Sequence, residues 1–261
     1  MANTADDAHD HSPLISNRFL LILTSAIAVL ALLSLAVHVL GRSLGQELAL
    51  AGHTDSTSSF TIAIGQDRLR LEANSIRFED QRQDGKSDRI DLYLVWPEMA
   101  GYSKDLRERF DDISRTDSLI FLQLSQSTMS RDMSGRVEPI YSLLLDGSSQ
   151  KGPDGLTLHK FRRGTGYDNE TLLTADLPDG TSYAVRCILP EDPSLATSGD
   201  CQRDIHVGKD LTVLYRFSSR MLKDWRAIDT AIRAYTEARI EPPILAPSHK
   251  MRRDQATNDS L

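Results

Sequence analysis

The sequence predicts an α+β, β-rich protein: one N-terminal transmembrane helix, then an antiparallel-sheet domain, sandwich or partly open barrel, with a few helices including a long C-terminal one. Three observations predict it. Residues 19–40 form an uncharged apolar run, a two-residue hydrophobic period fills much of the chain beyond residue 60, and an apolar stripe at helical spacing follows residue 218.

The run FLLILTSAIAVLALLSLAVHVL holds 22 residues without Asp, Glu, Lys or Arg. At about 1.5 Å per residue a helix of that length reaches about 33 Å, enough for the roughly 30 Å hydrocarbon layer of a bilayer, and it satisfies its own backbone hydrogen bonds there. A cleaved signal peptide is the rival reading, with Ala49-Leu50-Ala51 as a small-x-small site. Secretory cores are shorter, about 7–15 residues, and this site lies well past the run, so an uncleaved anchor is expected. Arg18 and Arg42 bracket the span and leave the positive-inside count tied.

The cysteines break the tie. Cys187 and Cys201 are the whole complement, and each falls at the end of a predicted strand, on its more apolar face. A disulfide between them, closing a loop of roughly 15 residues, is expected to stabilise the domain by about 3 kcal/mol. Such bonds persist in oxidising compartments, which argues for a domain outside the cytoplasm and an N-terminus inside. The expectation is a single-pass protein of the cell inner membrane with a cytoplasmic tail (1–18), the span (19–40), a linker (41–59), a periplasmic domain (60–240) and a disordered tail (241–261). The excess of Arg, 23 against 7 Lys, fits a GC-rich bacterial coding sequence.

Within the domain, Phe60-Thr61-Ile62-Ala63-Ile64, then Leu69 and Leu71, Ile76 and Phe78, and Ile90, Leu92, Leu94 and Trp96 alternate as half-buried strands, the last stopped by Pro97. Ser103 offers an N-cap to a short helix carrying Leu106, Phe110 and Ile113. The continuous apolar run 119–124 predicts a strand covered on both faces. Val137, Ile140, Tyr141 and Leu144 have helical spacing, with Pro139 in the first turn. Strands at 156–162, 170–177, 181–188, 202–207 and 211–217 then form an antiparallel meander, punctuated by turns at Gly164-Thr165-Gly166, Pro178-Asp179-Gly180 and Gly208-Lys209-Asp210. After Ser218 one helix follows, its stripe of Leu222, Trp225, Ile228, Ile232 and Tyr235 packed on the sheet.

A formal charge of −7 argues against nucleic acid as the partner. Several motifs tempt and fail. Gly41-Arg42-Ser43-Leu44-Gly45 matches a hydrolase nucleophile elbow, but it sits at the exit of the span rather than on a strand-to-helix turn. Asp80, Asp84, Gly85, Asp88 and Asp91 outline a calcium loop, yet Arg82 occupies the third position, Asp91 replaces the bidentate Glu, and the flanks read as strands; a solvated hairpin loop remains. Ser148-Ser149-Gln150-Lys151 lacks the companion motifs of serine acyl-enzymes, and Gly164-x-Gly166 lacks the third glycine and the helix of a phosphate site. His53 in the linker, His159 and His206 on strands and His249 in the tail share no metal-ligand spacing, so no metal and no cofactor is expected. His38, two residues from the end of the span, reads as reaching the membrane interface.

These readings predict a non-enzymatic, membrane-tethered envelope protein that binds a protein or cell-wall partner, with homo-oligomer assembly left open. The alternative is a carrier or binding domain for lipid, glycan or a small molecule, with Trp96, Tyr102 and Tyr167 as candidate binding-surface residues. An enzyme, a hydrolase whose carboxylates or His meet only in the fold, is the least favoured reading.

Overall fold

Alternation of apolar and polar residues builds two sheets that share one core. The computed structural model describes residues 17–49 and 52–242, Ile113 excepted, with side chains of the first segment described to residue 37. Ile113, the side chain of His38 and the expected terminal tails beyond these bounds therefore lie outside the described residues. The chain divides between Ala51 and Gly52 into two units.

The first unit contains α1 (Asn17–Ala49). Its segment Asn17–Val37 is long and apolar enough to cross a membrane. The Thr24 hydroxyl inside that segment donates to Leu20 O at 2.9 Å, so the helix satisfies it without outside help.

In the second unit the strands are β1 (Ser59–Ile64), β2 (Asp67–Glu72), β3 (Gly85–Lys86), β4 (Arg89–Val95), β5 (Leu119–Gln126), β6 (Leu145–Lys151), β7 (Thr157–Phe161), β8 (Thr171–Asp176), β9 (Ser182–Cys187), β10 (Cys201–Val207) and β11 (Leu211–Phe217). The large sheet runs β4-β5-β11-β10-β9-β8-β7-β6, antiparallel throughout, and the small one β2-β1-β3. The large sheet ends on β4 and β6, so it is open and no barrel closes. One face of the pleat sends Leu173, Tyr183, Val185, Ile205 and Val213 into a core shared with Ile62, Ile64, Leu69 and Leu71 of the small sheet. Helix α3 (Trp225–Glu237) lies over the same core, and all five stripe residues from Leu222 to Tyr235 are buried. At about 1.5–3 kcal/mol per fully buried large apolar side chain, that stripe is the main force seating the helix.

Ser218 caps the turn that leads into α3, its Oγ accepting from Arg220 N at 3.4 Å. Beyond α3 the chain covers the edge of β2, with Arg70 N donating to Arg239 O (2.8 Å) and Glu241 N to Arg68 O (2.7 Å). The two sheets are also clipped at their turns. The Asp67 carboxylate accepts from Lys209 N and Asp210 N at 2.9–3.1 Å, and the Asp210 carboxylate accepts from Gln66 N at 2.8 Å. Gly208, at φ +68, is needed for this approach, because a Cβ there would sit 2.7 Å from Asp67 Oδ1. The opposite face of the large sheet carries two smaller clusters, Tyr93, Val95, Phe110 and Leu119 at one end, and Met133, Tyr141, Phe161, Leu172 and Ala184 at the other. β5 is therefore covered on both faces where it begins.

The structure corrects several local expectations. Ile76 makes only an isolated bridge to Leu92, and 3-10 turns at Ala73–Ser75 and Glu79–Gln81 replace a strand there. The helix expected from Val137 to Leu144 is instead a pair of 3-10 turns, Ser134–Arg136 and Tyr141–Leu143, flanking Pro139, which has no N–H for a continued helix. Ser103 makes no side-chain cap; a 3-10 turn, Lys104–Leu106, precedes the short α2 (Arg107–Asp111). The loop at 80–91 folds into a 3-10 turn and the two-residue β3, which pairs parallel with β1. Residues 53–58 are docked on the domain, with Ala73 N and Asn74 N donating to Ser58 O and Ser56 O.

Candidate functional site

The predicted cysteines lie opposite each other where β9 and β10 pair, and they are joined, Cys187–Cys201, with both side chains fully buried. Pairing of β9 with β10 covers only Cys201↔Cys187 and Gln202↔Arg186 before the strands part. Arg203 fills the gap, Nη1 donating to Ala184 O (2.8 Å) and to Ser134 Oγ (2.6 Å).

Arg203 is also the centre of a buried polar group that the periodicity did not announce. Its Nε donates to Asp229 Oδ1 on α3 at 2.8 Å, the same oxygen accepts from the Tyr215 hydroxyl at 2.6 Å, and the guanidinium stacks 4.5 Å from the centre of the Tyr183 ring. Burial works against the Arg203 charge, but the Tyr215 and Asp229 oxygens outweigh it and the guanidinium pKa is raised. Burial likewise drives both tyrosine hydroxyls upward, so they stay protonated. With the Arg203 guanidinium and the Tyr215 hydroxyl both bonded to the Asp229 carboxylate inside the core, the set is a structural clamp between helix and sheet, and the Tyr183 hydroxyl alone is left without a hydrogen-bond partner. The one sequence signal for it was Arg203 at an odd, inward position of its strand, facing Asp229 four residues on from Trp225.

A second buried pair, Arg136 with Asp204, fastens the segment between β5 and β6 to the outer face of β10. That segment borders two surface clefts. One, of about 390 Å³, is lined by Ser127 to Ser130 and His206 to Leu211; the other, of about 360 Å³, by residues 128–131 with Arg136, Pro139 and Ile140. Ser127 Oγ lies 3.0 Å from His206 Nε2, a geometry that invites a nucleophile reading. Its proton is committed to Met129 O at 3.0 Å, however, so the hydroxyl accepts from the imidazole instead of being activated by it.

The candidate binding residues do not converge. Trp96 is half-buried against the main core, donates from Nε1 to Asp224 Oδ2 (3.3 Å) and borders a 350 Å³ cleft with Pro97, Asp117 and Arg220. Tyr102 packs with the Tyr93 and Phe110 cluster, and Tyr167 with Phe161 in the cluster at the other end of the sheet. Tyr167 is further covered by Arg186, whose guanidinium lies 4.7 Å from its ring centre and pairs with Glu170.

Tyr102 has a partner that sequence reading placed in a linker. His53 stacks on it at 4.8 Å and 8°, its Nδ1 lies 2.9 Å from the Tyr93 hydroxyl, and its Nε2 is 3.5 Å from Asp111 Oδ1. Burial lowers the His53 pKa, Asp111 opposes that, and Arg82 and Arg77 add to the lowering. Burial also pushes Tyr93 up to about 12. No short-range pattern points to this contact, because 40 residues separate His53 from Tyr93.

Among the described residues no group of three or more His, Cys, Asp or Glu is arranged to hold a metal ion. Two of the four calcium-like carboxylates are engaged by the protein itself, Asp84 accepting from Thr61 N (2.7 Å) and Asp91 from Gln81 Nε2 (3.0 Å).

This is the class of an open β-sheet domain with a disulfide at its centre and an apolar helix at its N-terminal end. No protein-family model matches the chain, and no curated protein matches it in sequence. Among solved structures it is similar to an immunity protein of the Stenotrophomonas maltophilia type IV secretion system, with TM-score 0.51 and 15% identity over 73% of this chain and 96% of that one. It also matches the iron-regulated outer membrane lipoprotein FrpD of Neisseria meningitidis, with TM-score 0.43 and 9% identity over 72% of this chain and 95% of that one. At these identities the first likeness is one of fold.

Proposed function

We propose that this protein is anchored in the inner membrane by its apolar helix, holds its β domain outside the cytoplasm, and acts there by binding a protein partner rather than by catalysis. The observation that carries the reading is the Cys187–Cys201 disulfide inside a domain that follows an apolar, membrane-length helix. Structural disulfides are kept in oxidising compartments, and a helix of this length and composition can cross a membrane and tether a domain on its oxidising side. The fold likeness to an immunity protein of a secretion system supports an envelope setting and an interaction role. The carrier alternative asks for an enclosed apolar cavity, whereas the space between the two sheets is occupied by side chains such as Ile64, Leu71, Val213 and Ile228.

The test is in-cell crosslinking with reagents of different reach, followed by purification of the full-length protein. Recovery of one protein in defined stoichiometry supports the reading. Recovery of the protein alone from every reagent contradicts it.

A further inference from the structure

The residues between the cysteines are a built projection, not a slack connection. At the base, Ile188 N donates to Asp200 O at 2.8 Å beside the disulfide. The buried Asp200 carboxylate accepts from Thr197 N and Oγ1 (2.9 and 2.6 Å) with one oxygen and from Ser219 N and Oγ (3.2 and 2.6 Å) with the other. At the tip, Pro193–Leu195 form a 3-10 turn capped by Asp192, whose Oδ1 accepts from Ser194 N at 2.8 Å, and Leu195 N donates to Asp192 O. Between base and tip, Ala196 is buried and holds the turn against the domain.

This fixed frame presents apolar groups to solvent. Leu195 is 69% exposed and Ile188 50% exposed. Residues 188–200 contain no Lys or Arg, and Glu191 and Asp192 stand exposed beside the turn, with no salt bridge to either among the described residues. A surface that is rigid, apolar at its points and anionic around them loses little conformational entropy on docking and favours a partner of opposite charge.

We propose that the disulfide-closed segment 188–200 is the docking element for a cationic protein, with Leu195 and Ile188 entering an apolar pocket and Glu191 and Asp192 meeting Lys or Arg at its rim. This rests on the protein-binding reading above and names the surface that performs it. Met129, Ile140 and Leu143 form a second set of exposed apolar residues, in the segment between β5 and β6, but with Arg131 and Arg136 nearby and no covalent frame. They serve as the control surface.

The test places a benzophenone amino acid in the full-length protein in intact cells, at Ser194 in one strain and at Leu143 in another. Expected is a discrete protein adduct from position 194, identified by mass spectrometry as a protein with a cationic surface, and lost at least about tenfold in the L195D or E191K background. Non-reducing electrophoresis confirms that each variant keeps its disulfide. An adduct from 143 but not 194 overturns the docking proposal and leaves the protein-binding reading standing. A homodimer or lipid adduct at 194, or a protein adduct indifferent to L195D and E191K, also overturns it. No protein adduct from either position, with none from general crosslinkers, removes both.

Discussion

Replacing Asp229 with Ala should weaken the seating of α3 on the large sheet. Arg203 keeps only 4% of its side chain exposed, and Asp229 supplies both its carboxylate partner and the acceptor of the Tyr215 hydroxyl. Truncation leaves a buried cation paired only with Ala184 O and Ser134 Oγ, and a buried hydroxyl without an acceptor. Breaking a buried pair from one side costs about 3–5 kcal/mol, because the remaining charge stays desolvated. For a domain of this size about 1 kcal/mol moves the melting temperature by roughly 2–4 °C, so a fall of about 6–20 °C is expected. The assay is thermal melting of the detergent-solubilised full chain by near-ultraviolet circular dichroism, which reports on Trp96 and Trp225 in the domain. The double variant Arg203→Met, Asp229→Leu should recover most of the loss, since it removes the charge together with its partner. If Asp229→Ala melts within about 1 kcal/mol of the parent, or the double variant is worse than the single, the clamp assigned to this cluster is wrong.

Other outcomes follow from the same structure. Cys187→Ala with Cys201→Ala should lose about 3 kcal/mol by loop-closure entropy, read as a lower urea midpoint without loss of the secondary-structure signal below the transition. Asp67→Ala removes the acceptor of Lys209 N and Asp210 N and should cost about 1.5–3 kcal/mol; an unchanged midpoint would show that the clip between the two sheets is idle. His53 is held below its ordinary 6.5 by burial, so the unfolded chain takes up the proton first as pH falls. Stability from this group is therefore full above that value and declines as pH drops below it, and His53→Gln should flatten the fall between pH 7.5 and pH 5.5 in unfolding midpoints.

Much of the fold was legible because its forces are local and periodic. β11 and the α3 stripe each bury one face, so alternation at two residues and recurrence at three and four residues announce them, while β8 and β9, which also bury Leu172 and Ala184 on the other face, were announced by their apolar content and the turns between them. The disulfide was legible for the same reason, since both cysteines occupy core-facing positions at adjacent strand ends. β6 was missed because Leu145–Lys151 is a polar edge with no buried face, held by backbone pairing to β7 alone. Tyr141 is buried as its helical spacing implied, but Ile140 is not, because the chain turns around Pro139 instead of continuing as a helix. His53, Arg203 and Arg136 were opaque for a different reason. Each is placed by a partner far away in sequence, Tyr93, Asp229 and Asp204, and a polar residue on an inward position has no pattern until its partner is known. Trp96, Tyr102 and Tyr167 were singled out as large aromatics, and the fold distributes them to three separate packing clusters.

The most direct test of the membrane-tethered, outward-facing arrangement uses one new cysteine, Ser148→Cys, on the exposed edge strand β6, because the native sulfurs are buried and disulfide-bonded. Intact cells with a permeabilised outer membrane are treated with a membrane-impermeant maleimide, and the protein is then purified in detergent. Full labelling at position 148 before lysis is expected, with Cys187 and Cys201 reacting only after denaturation and reduction. Labelling at 148 only after lysis, with both native thiols free in denatured samples that were never reduced, would place the domain in the cytoplasm and contradict the proposed arrangement.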